Sequence, residues 1–264
     1  MVDSGPPGEG ENTADSWSHT RMTIVHPRMS RVPLDQRGIT LADFLVPIRL
    51  GERLGTRVRH IALIVAGALL IAICAQITIV QEGQTIPLIA DFRIRLASTP
   101  VPITGQTFAV LVIGGALGLR RGVLSVVLYL LAGLLLPVYA GGASGLDTFV
   151  NRDAGGTIIL GTTGGYLIGF LAAAAVTGRL AELGWDRHIV GAVAAMLIGN
   201  LVIYVFGVPW LAAALPSTFA STRLETAVAF GLTPFIIVDG LKLLLAAVTF
   251  IAAWWAVGRR PAER

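Results

Sequence analysis

The stretch FIIVDGLKLLLAAVTFIAAWWAV, residues 235–257, decides the fold class of this chain. It is apolar almost throughout, and its charged members are Asp239 and Lys242. A helix needs about 20 mostly apolar residues to cross the hydrocarbon core of a bilayer. The stretch is therefore predicted to be a membrane-spanning helix that carries one acidic and one basic side chain.

The composition of the whole chain agrees with this prediction. Of its 264 residues, 54% are hydrophobic and 14% are charged, whereas a soluble domain carries about 25% charged residues. This balance excludes a disordered protein, a disulfide scaffold and an ordinary soluble enzyme. The net charge of +4 comes from short Arg clusters between apolar runs. That pattern is typical of topology signals in a polytopic membrane protein rather than of a nucleic-acid-binding face.

Further apolar runs precede residues 235–257. They are residues 61–80, 103–119, 123–140, 164–178 and 189–206, the last followed by a short apolar appendage at 210–215. Together these runs predict an all-α membrane protein with six transmembrane helices. The connections at about 81–102, 141–163 and 207–234 are long, and they alternate with short ones.

The Arg side chains set the predicted orientation. They are concentrated in the connections on the side that also holds the two termini, so both termini are expected to be cytoplasmic. Trp185, Trp254 and Trp255 are predicted to be interface anchors on that side. The predicted organisation is a disordered cytoplasmic tail at 1–45, a basic juxtamembrane segment at 46–60, a six-helix transmembrane domain at 61–258 and a cytoplasmic C-terminus at 259–264.

Asp239 and Lys242 are the candidate binding residues. Their spacing of three residues places them on one face of the helix, in the outer leaflet of the membrane. A charge inside a span is costly and indicates function. An Asp accepts N–H groups and a Lys donates to oxygen, so the pair would suit a urea, an amide or a carboxylate. The alternative is a pair that neutralises itself and only fixes helix packing.

No catalytic or metal-binding motif accompanies this pair. The sequence contains no HExxH, GxSxG or GxxxxGK[ST] motif, and its single Cys, Cys74, lies inside an apolar run. No metal and no cofactor are therefore expected, and a transporter built on this chain would need an ion gradient or an ATPase partner. A membrane-embedded enzyme that uses Asp239 and Lys242 as acid and base is a further alternative.

Other polar residues near the outer helix ends are weaker candidates. Tyr139 and Tyr166 suit either a pocket wall or an interface anchor. Gln106 and Asn200 are uncharged polar groups in or beside spans, and Asn200 suits either a helix–helix hydrogen bond or a ligand. Gly141 suits a tight turn that brings backbone N–H groups near a ligand.

Small residues on the first span suggest close helix contacts. The pairs Ala62/Ala66 and Ala68/Ala72 have the small-xxx-small spacing, which either receives another membrane protein or packs inside the bundle. Two glycine stripes, 114/118/122 and 161/165/169, are predicted to pack within the bundle.

Three ordered stretches carry a resemblance to a known family. They are STPVPITGQTFAVLVIGGALGLRRGVLSVVLYLLAG (98–133), LPVYAGGASG (136–145) and GTTGGYLIGF (161–170). The chain resembles the BioY family, the biotin-specific substrate-binding S-components of energy-coupling factor (ECF) transporters, over residues 61–258. The resemblance implies an ECF S-component fold in the bacterial cytoplasmic membrane and capture of biotin from outside.

The resemblance also implies partners and site residues. The partners would be a transmembrane coupling protein and two cytoplasmic ATPase subunits, which alone would use ATP. Ala68 and Ala72 would dock the coupling protein. The expected ligand-binding residues are Asp239, Lys242, Gln106, Thr104, Tyr139, Gly141, Tyr166 and Asn200. An S-component for another small vitamin or solute is the alternative.

The sequence departs from the family pattern at a few positions. Ile237 and Val238 stand where the family has Pro-Gly before the aspartate, and Gly105 replaces Leu before Gln106. Thr162 replaces Pro in the GPTGGY motif. The segment 147–159 is longer than usual and is expected to form an extra external excursion.

Overall fold

The computed structural model describes residues 1, 40–42, 48–80, 85–89, 92–95, 99–152, 155–219 and 221–258. The helices and strands given below belong to the compact unit Pro33–Arg264. The predicted tail at 1–45 falls outside the described residues over 2–39 and 43–45, and the predicted cytoplasmic C-terminus at 259–264 lies wholly outside them.

The described part of the chain is mostly helical. The helices are α1 (Ile48–Gln76), α2 (Gln106–Leu135), α3 (Gly164–Glu182), α4 (Ile189–Ala214), the short α5 (Arg223–Gly231) and α6 (Phe235–Gly258). Within the described part, five of these helices are long and apolar enough to cross a membrane, namely all except α5.

The connections contain short antiparallel ribbons, which the all-α prediction missed. Backbone N–H and C=O groups that leave a helix must find other partners, and neighbouring segments of a connection supply them. The pairs are β1 (Thr78–Val80) with β4 (Ile103–Thr104), β2 (Thr85–Ile89) with β3 (Phe92–Arg95), and β5 (Val150–Arg152) with β6 (Ile158–Leu160). The β5–β6 hairpin occupies the segment 147–159 that was expected to be an external excursion.

Helix α2 reverses direction at Gly118, where φ is 80° and ψ is 178°. The Nε2 atom of Gln106 donates to the hydroxyl of Tyr129, 23 positions later, over 2.6 Å. A straight helix would separate two such residues by about 35 Å. The segments 106–117 and 119–135 therefore lie side by side, and they correspond to the predicted runs 103–119 and 123–140.

The turn at Gly118 is closed by α3. The Glu182 carboxylate accepts the backbone N–H of Leu119 over 2.9 Å, which satisfies a donor at the start of the second segment. A Cβ atom at Gly178 would lie 2.6 Å from the Leu119 nitrogen, so the turn and α3 are in backbone contact. The short connection is thus fixed by its neighbour.

Helix α4 is longer than its predicted run. It continues through Pro209 to Ala214, so the apolar appendage at 210–215 is mostly the last turn of the helix. Trp210 anchors this end by donating its indole N–H to the carbonyl of Gly161 over 2.8 Å. Proline is tolerated inside transmembrane helices because neighbouring groups satisfy the freed carbonyl.

Glycines of both predicted stripes lie at helix–helix contacts, but neither stripe runs along one helix face, because Gly118 is the reversal of α2 and Gly161 precedes α3. A Cβ at Gly169 would lie 3.0 Å from the Cα of Ile203 on α4, and one at Gly114 would lie 3.1 Å from the Cα of Ala174 on α3. Such close approaches increase van der Waals contact where lipid supplies no hydrophobic driving force.

The end of the bundle opposite the β5–β6 hairpin has its own buried cluster. Leu41, from the segment before α1, packs with a group of side chains from three helices: Leu111, Ala195, Met196, Ala246 and Phe250. At the same end Trp254 donates to the Asp186 carboxylate over 2.7 Å. Arg187 lies 4.8 Å above the centre of the Trp254 ring. The predicted anchor Trp254 therefore also makes a tertiary contact.

Candidate functional site

A cavity of about 650 Å³ lies among α2, α3, α4, α6 and the connections that precede α2 and α3. Much of its wall is apolar and aromatic, from residues such as Leu167, Phe170, Ile203 and Phe235. This volume and lining are typical of pockets for small molecules, in which a few placed polar groups set specificity.

The polar floor of the cavity is the Asp239–Lys242 pair. The Lys242 Nζ lies 2.8 Å from the Asp239 Oδ1. Asp239 is 2% exposed and Lys242 is 7% exposed, and both side chains line the cavity. Helix α6 runs unbroken from Phe235 to Gly258, so the replacement of Pro-Gly by Ile237 and Val238 leaves the pair on a regular helix.

Two further hydroxyls hold this pair. The Tyr204 hydroxyl of α4 donates to the Asp239 Oδ2 over 2.6 Å. The Lys242 ammonium donates to the Thr107 Oγ1 over 3.1 Å. The Thr107 hydroxyl in turn donates to the Asp239 Oδ1 over 3.4 Å. The charges are therefore bound into one network that joins α2, α4 and α6.

This network leaves defined capacity for a ligand. An ammonium has three N–H donors, and the contacts with Asp239 and Thr107 occupy two of Lys242. Each carboxylate oxygen of Asp239 has two lone pairs. Lys242 and Thr107 occupy those of Oδ1, whereas Tyr204 occupies one of Oδ2, so Oδ2 can accept a further N–H. The pair thus offers one donor and one acceptor side by side, with no net charge.

Gln106 and Thr104 also line the cavity and are bonded to each other. The Thr104 hydroxyl donates to the Gln106 Oε1 over 2.8 Å, and the Gln106 Nε2 donates to Tyr129. These contacts fix the orientation of the amide. Both predicted site residues therefore lie at the cavity, and their polar groups are held by the protein.

Tyr139 and Tyr166 are buried walls of the cavity rather than exposed interface anchors. Tyr139 is 1% exposed and Tyr166 is 6% exposed. The Tyr139 hydroxyl donates to the Leu130 carbonyl over 2.6 Å, and the Tyr166 hydroxyl donates to the Gly231 carbonyl over 2.8 Å. Each ring presents an apolar surface while its hydroxyl is satisfied by backbone.

Two predicted ligand residues do not line the cavity. Gly141 is exposed and has φ of 65° in a short 3₁₀ turn, while its neighbours Ala140 and Ala143 line the wall. Asn200 is buried one helical turn before Tyr204 on α4.

The predicted docking residues on α1 point mainly into the bundle. Ala68 is buried at 7% exposure and belongs to the main hydrophobic core, and Ala72 packs against that core. Ala62 and Ala66, which have the same spacing, are exposed.

Sequence reasoning missed Thr107 and Tyr204. Thr107 directly follows Gln106, and Tyr204 lies four residues after Asn200, but neither residue is charged or part of a distinctive motif. It also missed Asp147 and Asn151, which line the cavity from the β5–β6 region. The helix rotation that aims these side chains at one cavity depends on packing between helices.

The described residues contain no cluster of three or more His, Cys, Asp or Glu side chains that could hold a metal ion. Fold and site together define a multi-pass helical membrane protein with a pocket at the end of its bundle that carries the β5–β6 hairpin. The chain belongs to the BioY family, whose model matches residues 48–259.

Curated relatives support this assignment. The chain is 35% identical to the biotin transporter BioY of Thermotoga maritima over 56% of this chain and 78% of the relative. It is 34% identical to the biotin transporter BioY of Rhizobium etli over 59% of this chain and 79% of the relative. The fold resembles a crystal structure of the S-component for biotin from an ECF-type ABC transporter. That similarity has a TM-score of 0.57 and 25% identity and covers 75% of this chain and 92% of that structure.

Proposed function

We propose that this protein is the biotin-binding S-component of an ECF-type transporter in the cytoplasmic membrane, which captures biotin from the outer side. The observation that carries the proposal is the neutral Asp239–Lys242 pair at the floor of an apolar cavity. The identity of the ligand is inferred from membership of the BioY family, whose curated relatives are named biotin transporters. Biotin combines an apolar ring system with a polar ureido group, and the cavity has both kinds of surface.

Two ligand poses fit the floor. In the first, Asp239 accepts a ureido N–H and Lys242 donates to the ureido oxygen. In the second, Lys242 donates to the valerate carboxylate. The balanced charge of the pair favours the first, because an anionic group would meet Asp239 as well as Lys242.

Calorimetry of the purified chain with biotin tests the function. We expect saturable binding at micromolar ligand. Biotin amide, in which the carboxylate is blocked, should retain most of the affinity in the first pose and lose it in the second. Absence of saturable biotin binding would refute the proposal, and preference for another vitamin in a ligand panel would favour the alternative S-component. Recovery of the bound biotin chemically unchanged would exclude the alternative of a membrane-embedded enzyme.

We further propose six membrane crossings with both termini in the cytoplasm. The reversal of α2 at Gly118 supports two crossings by that helix. The enrichment of Arg on one side supports the orientation.

The proposed partners are a transmembrane coupling protein and two ATPase subunits. The absence of a P-loop motif from the sequence supports an external source of energy. We propose α1 as the docking helix. Its exposed Ala62 and Ala66 face outward, and Ala68 and Ala72 lie behind them toward the core.

A further inference from the structure

We propose that Tyr204 is a positioning residue of the ligand pocket. It orients the carboxylate of Asp239, and Asn200 in turn orients Tyr204. This inference rests on the proposed function, because it assigns roles within the same pocket. It concerns residues that touch the ion pair or support it.

The Asp239 carboxylate is held from two sides. Its Oδ2 accepts the Tyr204 hydroxyl over 2.6 Å, and its Oδ1 accepts the Lys242 ammonium over 2.8 Å. The terminal torsion of a free Asp side chain is broad. Donors from different helices fix the plane of the carboxylate, so the remaining lone pair of Oδ2 keeps one direction toward the cavity.

The Tyr204 contact has features of a strong hydrogen bond. It is short, and its acceptor is ionised, which makes such bonds stronger than neutral ones. Lys242 already balances the charge of Asp239, so charge neutralisation does not require Tyr204. The hydroxyl therefore adds direction rather than charge, which is the property that recognition of an N–H group needs.

Asn200 completes a directional chain of hydrogen bonds. It is 5% exposed and lies one helical turn before Tyr204 on α4. Within the described part of the chain its Oδ1 has no hydrogen-bond partner. From this position its amide nitrogen can donate to the Tyr204 hydroxyl oxygen, while the hydroxyl donates its own hydrogen to Asp239.

This arrangement explains why α4, which contributes no charged side chain to the cavity, has two polar residues buried on one face. Asn200 and Tyr204 are four residues apart and share a face of α4. Neither is needed to neutralise a charge, and burial of an amide is costly without a partner. Support of Asp239 gives both residues a role in the pocket.

The test is calorimetry with biotin on full-length variants. Tyr204→Phe keeps the ring and removes the hydroxyl, and it should raise the Kd for biotin about ten-fold, as expected for loss of a hydrogen bond to a charged group. Asn200→Ala should raise the Kd less. Combined with Tyr204→Phe, it should add no more than about two-fold, because both act along one chain.

Coupling to Asp239 separates positioning from a purely structural role. In an Asp239→Asn background, Tyr204→Phe should change the Kd by no more than about two-fold. Thr177→Val is the control, because it also removes a buried hydroxyl. The Thr177 hydroxyl donates to the Ala173 carbonyl over 2.8 Å, and Thr177 does not line the cavity. It should leave the Kd unchanged.

The outcomes distinguish the two proposals. If wild-type protein does not bind biotin, the proposed function fails and this inference fails with it. If wild-type protein binds but Tyr204→Phe leaves the Kd within about two-fold, the positioning role alone is overturned. A full and additive effect in the Asp239→Asn background, or a loss of thermal stability without a change in Kd, would overturn it as well.

Discussion

Burial of Asp239 and Lys242 is expensive unless each charge keeps partners. Removing one member of a buried pair leaves an uncompensated charge, whereas removing both is often tolerated. Here the pair has partners on two other helices, Thr107 and Tyr204. At the scale of residues, the pair is therefore held by hydroxyls of α2 and α4 at the wall of the cavity.

Single charge deletions should abolish high-affinity binding. Asp239→Asn and Lys242→Met are each expected to raise the Kd for biotin about 100-fold, because each removes a ligand contact and leaves its partner unbalanced. Calorimetry measures the change. Unchanged affinity in either variant would remove that residue from the site.

The double variant Asp239→Asn/Lys242→Met is the matched comparison. Without either charge the desolvation cost disappears, so thermal stability should recover relative to the single variants. Binding should stay lost. Recovery of both stability and binding would mean that the pair only fixes helix packing.

At the scale of elements, the main feature is the reversal of α2. Gly118 has a backbone conformation that residues other than glycine rarely adopt. A Cβ there would also lie 2.7 Å from the Thr40 Cγ2 and 3.0 Å from the Glu182 Oε1. The turn that brings Gln106 to Tyr129 thus depends on a single residue.

Gly118→Ala should destabilise the protein by about 1–3 kcal/mol, because alanine is strained at this φ and meets a crowded neighbourhood. A fall in the melting temperature in detergent measures the effect. Gly240→Ala is the matched control, since its Cβ would meet nothing within 4 Å. An equal shift in both variants would contradict the role assigned to the turn.

At the scale of the whole molecule, the two ends of the bundle differ. One end holds the cavity, and the opposite end is closed by packed side chains and by the contact of Asp186 with Trp254. Asp186 is 1% exposed. Burial raises the pKa of its carboxyl from 3.8 to about 6, although Trp254 and Arg187 oppose the shift.

This pKa predicts how the stability of the molecule changes with pH. A raised pKa means that the folded state favours the protonated form of the Asp186 carboxyl. The contribution of this group to stability is therefore complete at low pH and is lost as the pH rises through about 6. As the pH rises from about 4 to 7, the Asp186→Asn variant should therefore gain stability relative to wild type. The difference in the free energy of unfolding should reach about 3 kcal/mol, and the melting temperature of the variant should rise relative to that of wild type.

Glu225→Gln serves as the control for that experiment, because it removes an exposed carboxylate on α5. Melting curves in detergent at several pH values measure the difference from wild type. A difference between Asp186→Asn and wild type that stays constant or shrinks with rising pH would contradict the assignment.

Much of the architecture was predictable because its signals are local. Length and hydropathy along a segment suffice to locate a membrane helix such as 235–257. The helical period suffices to place Asp239 and Lys242 on one face. Prediction was weaker at element ends: α4 continued past Phe206 because the tertiary contact of Trp210 supports its last turns.

The sequence by itself determined the membrane class, the helical segments and the charged pair, because these depend on composition and periodicity within one segment. Only the tertiary structure decided that Tyr204 and Thr107 join the pair, that Asn200 is buried outside the cavity lining, and that Ala68 faces the core. Those outcomes depend on how each helix is rotated against its neighbours. That rotation is set by the sum of many contacts between distant parts of the chain.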